Sequence, residues 1–170
     1  MKEEAVLRLG GEFERPIDLT FEDLSRFPPE DQVFDVSRLD ARRQGRGVRL
    51  EALLRHACLR PTARYLTVRA TRDGFAASVP VDAVAKHAVI VYAQDERPLT
   101  PEQGGPFRLL IPDAAACRTR EIDECANVKF VDHIEARSEP GPDTRPQTPA
   151  EHAALHERTA HDTNAETGNR

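Results

Sequence analysis

The chain has no tryptophan and only two tyrosines in 170 residues. Surfaces that grip single-stranded nucleic acid stack bases on aromatic rings, and this composition does not supply them. A net charge of −5 also has the wrong sign for neutralising phosphates along a duplex. Nucleic acid is therefore excluded as an expected partner. Long apolar runs are missing as well: none approaches the roughly 20 residues that span a bilayer. The start, Met1-Lys2-Glu3-Glu4, passes directly into strand-like alternation without an apolar leader core. Membrane contact is not expected, and a cytoplasmic location is. Cysteine is scarce: Cys58, Cys117 and Cys125 form an odd set with no C-x-x-C pair, which argues against a disulfide framework and reads as free thiols. There is no P-loop or dinucleotide fingerprint. No G-x-S-x-G element occurs, and neither Ser37 nor His56 shows a partner pattern for acyl transfer.

What is present fits one domain with a core, since 39% of residues are apolar. Val6–Leu9 reads as a strand ended by Gly10-Gly11, and Glu12–Leu19 as a second, with Pro16 marking an edge or bulge. Thr20 with Asp23 three residues on reads as a capping box, followed by a helix that Pro28-Pro29 stops. Gln32–Val36 reads as a short strand. Arg49–Cys58 reads as a helix with Leu50, Leu53, Leu54 and Ala57 on one stripe. Arg64–Ala70 alternates and pairs, through a turn at Asp73-Gly74, with Phe75–Val79 as a hairpin. Val81–His87 reads as a short helix. Ala88–Tyr92, Phe107–Ile111 and Val128–Ile134 read as further strands, the first so uniformly apolar that both its faces must be covered. Strands and short helices mix without regular β-α-β alternation, which predicts an α+β fold with mixed β-sheets.

Composition changes after Arg137. Residues 138–149 carry Pro140, Gly141, Pro142, Pro146 and Pro149, and the remainder is polar. This divides the chain into a domain at 1–137 and a flexible, Pro-rich and then polar tail at 138–170. Ala150–Arg158 reads as a transient helix. His152 and His156 would share one of its faces, with His161 beyond, and the expected state is a solvated tail rather than a metal site.

Four segments, in order, carry a resemblance. They are Ile17-Asp18-Leu19-Thr20-Phe21-Glu22-Asp23-Leu24; Gly45-Arg46-Gly47-Val48-Arg49-Leu50-Glu51-Ala52-Leu53-Leu54; Asp73-Gly74-Phe75-Ala76-Ala77-Ser78-Val79-Pro80-Val81; and Pro98-Leu99 followed by Gly104-Gly105-Pro106-Phe107-Arg108-Leu109-Leu110-Ile111-Pro112. Together with Val128-Lys129-Phe130 they resemble the molybdopterin-binding domain of the sulfite oxidase family over roughly residues 5–136. The resemblance implies that family's fold and a pyranopterin cofactor whose dithiolene sulfurs bind molybdenum, with one cysteine thiolate from the protein as a further soft ligand. It also implies an oxidoreductase in which the cofactor carries out the oxygen-atom chemistry and the protein orients it.

The same resemblance exposes departures. The family cysteine falls at Ser37 when counted back from Gly47, and Phe34–Leu50 holds no cysteine at all. A hard hydroxyl does not replace a thiolate, and Ser37 reads more readily as a turn residue after a strand. The family's active-site tyrosine falls at Phe75, which keeps the ring and loses the donor. Its histidine before the glycine turn falls at Gln103, which can still hydrogen-bond a pterin. Other parts remain. Arg108 matches the arginine aimed at the cofactor phosphate, and Lys129 matches the family lysine. Gly104 and Gly105 would let the backbone approach a ligand. In the plainer reading Arg108 pairs with a carboxylate beside the sheet and Lys129 is solvated. Residues 112–127, with Cys117, Arg118, Arg120 and Cys125, form a charged loop from which a thiol could reach in, Arg118 and Arg120 favouring a Cys117 thiolate.

The resulting expectation is a molybdopterin-dependent oxidoreductase-like domain that is catalytically degenerate, with Arg108, Lys129, Gln103, Gly104, Gly105 and Ser37 facing the cofactor. Molybdopterin is implied, molybdenum is in doubt, and no metal-ligating or catalytic residue is assigned. The alternative is a non-catalytic module reusing the cleft to bind a protein or an anion. A monomer is expected, since a separate dimerisation domain would not fit in this length.

Overall fold

A computed structural model describes residues 3–112 and 126–145. Ten strands and three short helices are assigned among them. Strand β1 is Leu7–Gly11 and β2 is Ile17–Leu19, with helix α1 at Phe21–Ser25. Strand β3 is Gln32–Val33, β4 is Arg46–Arg49, and helix α2 is Leu50–His56. The hairpin strands β5 and β6 are Tyr65–Ala70 and Phe75–Pro80, followed by helix α3 at Val81–Val84. Then come β7 at Val89–Gln94, β8 at Arg97–Pro98, β9 at Arg108–Leu110 and β10 at His133–Arg137. No helix among the described residues is long and apolar enough to cross a membrane.

Two sheets result, and the fold is the expected α+β one with mixed sheets. The first has the order β2-β1-β10-β5-β6, in which β1 and β10 run parallel and every other pair antiparallel. In the second, β7 pairs β4 along one edge, β4 pairs β3, and the other edge of β7 is shared by β9 and β8. Leu66, Val68 and Ile134 of the first sheet join Val48, Ile90 and Leu109 of the second and Leu50 and Leu53 of α2 in one buried core. Alternation along β7 sends Val89 and Val91 the other way. There they form a smaller apolar cluster with Val33, Val36, Leu99 and Leu110. The uniformly apolar run in β7 is thus explained by burial on both faces.

Local signals survive well where they are self-contained. The Thr20 hydroxyl accepts the Asp23 N–H, and the Asp23 carboxylate accepts the Thr20 N–H, closing the capping box of α1. Element ends move where tertiary structure intervenes. The strand expected at Glu12–Leu19 keeps only Ile17–Leu19, with Phe13 making an isolated bridge to Leu59. The strand expected at Val128–Ile134 begins at His133, because Phe130 takes a left-handed φ of 57° that no extended strand tolerates. Residues 128–131 nevertheless stay beside β9: Leu109 donates to the Val128 carbonyl and Val131 to that of Phe107.

The sequence division at 137/138 does not coincide with the edge of the packed body. Residues 141–145 lie along the free edge of β6. The Thr144 N–H donates to the Ala76 carbonyl and its hydroxyl oxygen accepts the Ala76 N–H; the Asp143 carboxylate accepts the Ser78 N–H, and Arg145 Nη2 donates to the Ser78 carbonyl. An unpaired sheet edge invites association with other chains, and these bonds cap it. The rest of the expected tail, including Ala150–Arg158 and His152, His156 and His161, lies outside the described residues.

Asp143 anchors this strap. Burial alone would raise its carboxyl, but the Arg145 guanidinium and the N–H groups of Arg145 and Ser78 hold it below the usual carboxylate range. A depressed folded-state value contributes stability above the unfolded value near 3.9, and that contribution is lost as pH falls through the folded value. Asp143→Ala is expected to lower stability by about 1–3 kcal/mol at neutral pH. The gap to the parent in thermal melts should close as pH drops below about 4.

Candidate functional site

The site begins with the turn before β9. Residues Pro101–Gln103 form a 3-10 turn capped from both sides: the Gln103 side-chain oxygen accepts the Thr100 N–H at 2.9 Å. Gly104 then adopts a left-handed φ of 86°, which favours glycine. Gly105 packs so tightly on Leu99 that a methyl group would overlap the Leu99 carbonyl, and it precedes a cis bond to Pro106. Emerging from this turn, β9 places Leu109 in the main core, so Arg108 and Leu110 face the other side. Arg108 is thereby laid over the small apolar cluster. Its Nη1 donates to the Gln103 carbonyl at 3.2 Å. Its Nε and Nη2 are buried and find no acceptor among the described residues.

The opposite wall comes from the segment leading into β4. Asp40 takes the N–H and guanidinium of Arg42, the latter at 3.0 Å, and the Asp40 carbonyl accepts the Arg43 N–H. That turn directs Arg43 inward, where its Nε is also buried without an acceptor among the described residues. Between the walls lies a cavity of about 200 Å³, lined by Arg42, Arg43, Gln44, Gln94, Gln103 and Arg108 over a floor of Val91 and Leu110. Burial is the main influence holding Arg108 below its ordinary value; the positive charge of Arg43 adds to it, and Asp40 opposes it only in part. Arg43 and Arg108 thus line a cavity to which no described carboxylate contributes, and three of their nitrogens are buried without an acceptor among the described residues.

Of the residues expected at a site, the structure brings together Arg108, Gln103, Gly104 and Lys129. Gly104 sits between the two cations: a methyl group on it would come within 3.2 Å of both Arg108 Nη1 and Lys129 Cγ. Its carbonyl accepts the Phe130 N–H at 2.9 Å, which holds the Lys129 turn in place, and Lys129 is exposed. Gly105 is buried against Leu99 and serves the turn. Gln103 lines the cavity, but its oxygen is committed to Thr100. The plainer reading of Arg108, an ion pair with a carboxylate, is not what the described residues form.

Ser37 is placed differently. It lies in a 3-10 turn, Val36–Arg38, and its hydroxyl and N–H both donate to the Asp35 carboxylate. Those two bonds hold Asp35 below the usual carboxylate range. Ser37 does not line the cavity. Phe75 opens β6 in the other sheet and packs against the main core. Cys58 is a free thiol at the end of α2, where its carbonyl accepts the Glu14 N–H. Cys117, Cys125, Arg118 and Arg120 lie outside the described residues. Sequence reasoning missed Arg42, Arg43, Gln44 and Gln94; the only signal was a doubled arginine two residues after an aspartate.

Comparison with known proteins bears on what this cavity is. The oxidoreductase molybdopterin binding domain matches residues 42–144, well over half of the chain, including both walls of the cavity. The chain belongs to this family. It is 33% identical over 113 residues to an uncharacterized oxidoreductase, YuiH, of Bacillus subtilis (strain 168), a match covering 62% of this chain and 56% of that protein. Its fold is similar to that of the sulfane dehydrogenase SoxCD from Paracoccus pantotrophus, with a TM-score of 0.57 at 20% identity, over 80% of this chain and 39% of that one. The fold is therefore the sulfite-oxidase-type molybdopterin-binding fold expected from the four segments. The matched region is little more than half the length of YuiH.

A buried guanidinium with only part of its hydrogen bonding met is destabilising, and replacing buried charge with an apolar group of similar volume is often neutral or stabilising. Arg108→Met is expected to leave the ligand-free protein unchanged or more stable by about 1 kcal/mol. Chemical denaturation of both proteins measures it. A loss of several kcal/mol would mean that Arg108 holds the fold together rather than waiting for a ligand.

Proposed function

We propose that this domain keeps the part of the family cleft that holds the phosphate-bearing end of a pterin cofactor and has given up the part that ligates metal, so that it binds the pterin without redox turnover. The observation that carries the reading is Arg108, which lines a cavity beside a glycine turn and keeps two buried nitrogens without an acceptor among the described residues. A guanidinium presents its donors in a planar fork that matches a phosphate group. Arg108 would take the phosphate, Gln103 would offer its amide nitrogen, and Lys129 would add charge at the rim. Gly104 leaves the backbone bare between them.

Molybdopterin, when bound, supplies dithiolene sulfurs to molybdenum and with them the oxygen-atom chemistry. The phosphate end fits the residues present; the metal end does not. Among the described residues no thiol lines the cavity, and the serine that falls at the family cysteine position is engaged with Asp35. Phe75 offers no hydroxyl to a substrate. A cavity of about 200 Å³ is also smaller than the roughly 300–1,000 Å³ of typical small-molecule sites, which suits an anionic group better than an entire cofactor.

The alternative, a module that binds an anion in this cleft with no pterin at all, rests on the same arginine. Pterin content separates the two. Protein made in a molybdopterin-competent host is expected to retain a phosphate-terminated pterin with molybdenum far below one atom per chain, and Arg108→Met is expected to lose the pterin. Stoichiometric molybdenum with turnover of sulfite or a sulfoxide would overturn the non-redox reading.

A further inference from the structure

We infer that the free edge of β6, which residues 141–145 cover, is a docking surface for a second copy of this chain, and that the strap keeps the protein monomeric by occupying it. The inference is independent of what the arginine cleft binds.

The other sheet edges among the described residues carry their own protection. Strand β2 is three residues long, follows Pro16 and has the charged Asp18 at its centre. Strand β3 has two residues, and β8 is Arg97-Pro98. Residues 128–131 cover the outer edge of β9, through the Leu109 N–H and the Phe107 carbonyl. Short strands, charges, prolines and covering segments are the devices that keep sheet edges from pairing with other chains. Strand β6 has no such device of its own. Phe75-Ala76-Ala77-Ser78-Val79-Pro80 is six residues long, uncharged, and has proline only at its end. What covers it is the strap, and the strap is attached through Ser138, Glu139 and Pro140, all exposed.

The strap covers this edge without forming a strand. The outward backbone groups it meets are the N–H and carbonyl of Ala76 and of Ser78. Strap backbone satisfies one of them: the Thr144 N–H donates to the Ala76 carbonyl at 2.8 Å. Side chains satisfy the rest. The Ala76 N–H donates to the Thr144 hydroxyl at 3.0 Å, the Ser78 N–H to the Asp143 carboxylate at 3.1 Å, and Arg145 Nη2 to the Ser78 carbonyl at 3.1 Å. A second β6, laid antiparallel about a two-fold axis at Ala77, meets the same groups with backbone alone. Ala76 of one copy exchanges both bonds with Ser78 of the other, and the axis repeats the exchange. No buried donor is stranded when one cover replaces the other. Side chains do not obstruct the pairing. Ala77 and Val79 belong to the main core, so Ala76 and Ser78 lie on the opposite face of the sheet, and both are small. The strap prevails in the intact chain because it is tethered next to the edge, at an effective concentration that a second molecule does not reach.

The test uses the full chain at neutral pH, with sedimentation equilibrium over a wide range of concentration. One variant, Asp143→Ala with Thr144→Pro and Arg145→Ala, removes the strap's bonds to Ala76 and Ser78. A second, Gly141→Val, lifts the strap at its other end, because a side chain at Gly141 would overlap the Thr67 hydroxyl. Thermal melts establish that the variants are folded, and either one suffices for the comparison. The parent is expected to keep the mass of one chain throughout, and a strap variant to rise toward twice that mass as concentration increases. Adding Ala76→Lys to a strap variant puts a charge on the bare edge and is expected to return the mass to that of one chain. Hydrogen exchange at the Ala76 and Ser78 amides should show protection in the parent, loss of it in the dilute strap variant, and recovery in its dimer. A strap variant that stays at one chain with these amides unprotected overturns the inference, since the bare edge then has no affinity for itself. One chain with both amides still protected overturns it as well, because the strap is then not the cover. So does a parent that dimerises, or a dimer that survives Ala76→Lys, since association then occurs elsewhere. Unfolding of both strap variants would make the strap part of the core rather than a removable cover, and would overturn it too.

Discussion

An arginine whose charge is buried and only partly hydrogen-bonded constrains everything around it. Arg108 is half-buried on the face of β9 opposite Leu109, which is fully buried in the main core. Asp40, the described carboxylate that influences Arg108, is bound to Arg42. Among the described residues the acceptor for Arg108 is the Gln103 carbonyl, which belongs to the same turn that delivers it. A folded protein tolerates such a group when the surrounding structure over-determines its position or when something else completes its hydrogen bonding. The first condition is supported by the turn whose Gly105 packs on Leu99, and Arg108 also lines the cavity beside it.

The two-sheet architecture makes this possible by giving β7 two buried faces. One face builds the large core with Ile90 and Tyr92; the other, with Val89 and Val91, roofs a small apolar cluster. Strand β7 can therefore carry a polar site on its outer side without exposing the main core to it. Buried polar bonds reinforce the frame. The Tyr92 hydroxyl donates to Gln32 at 2.8 Å, and the Gln32 amide donates to the Leu24 carbonyl at 2.8 Å, tying β7, β3 and α1 together. On the far sheet, the strap at 141–145 finishes the β6 edge with bonds from both backbone and side chains.

Legibility in the sequence followed the range of the interactions involved. The Thr20–Asp23 box, the β5–β6 hairpin and the α2 stripe depend on neighbours within a few positions, and each is visible as spacing. Arg108, Gln103, Gly104 and Lys129 were legible through resemblance, and the structure does gather them. Strand β4 was not, because Arg46-Gly47-Val48-Arg49 has weak strand character and is extended only by pairing β3 and β7. The strap was misplaced in the tail because Pro140, Gly141 and Pro142 look like linker composition, while its bonds run to residues more than sixty positions away. Arg43 was invisible for the same reason: a doubled arginine in a polar stretch reads as solvated until β9 closes over it.

On the proposed reading, holding an anion and ligating a metal would be done by different elements of this fold, so one could be lost without the other. On the proposed reading, the anion is held by β9 and the Asp40–Gln44 turn, and the missing thiolate belongs to the turn at Val36–Arg38. Val36 is the anchor of that turn; it is fully buried in the small cluster beneath the cavity, while the neighbouring Ser37 side chain bonds outward to Asp35. Exchanging a thiol for a hydroxyl at position 37 removes a ligand and leaves the anchor untouched. The cavity floor is built from Val91 and Leu110, which pack with Val36, not with Ser37. On that reading the arginine cleft would stay intact without metal chemistry, because the apolar cluster beneath it packs on Val36 and does not involve Ser37.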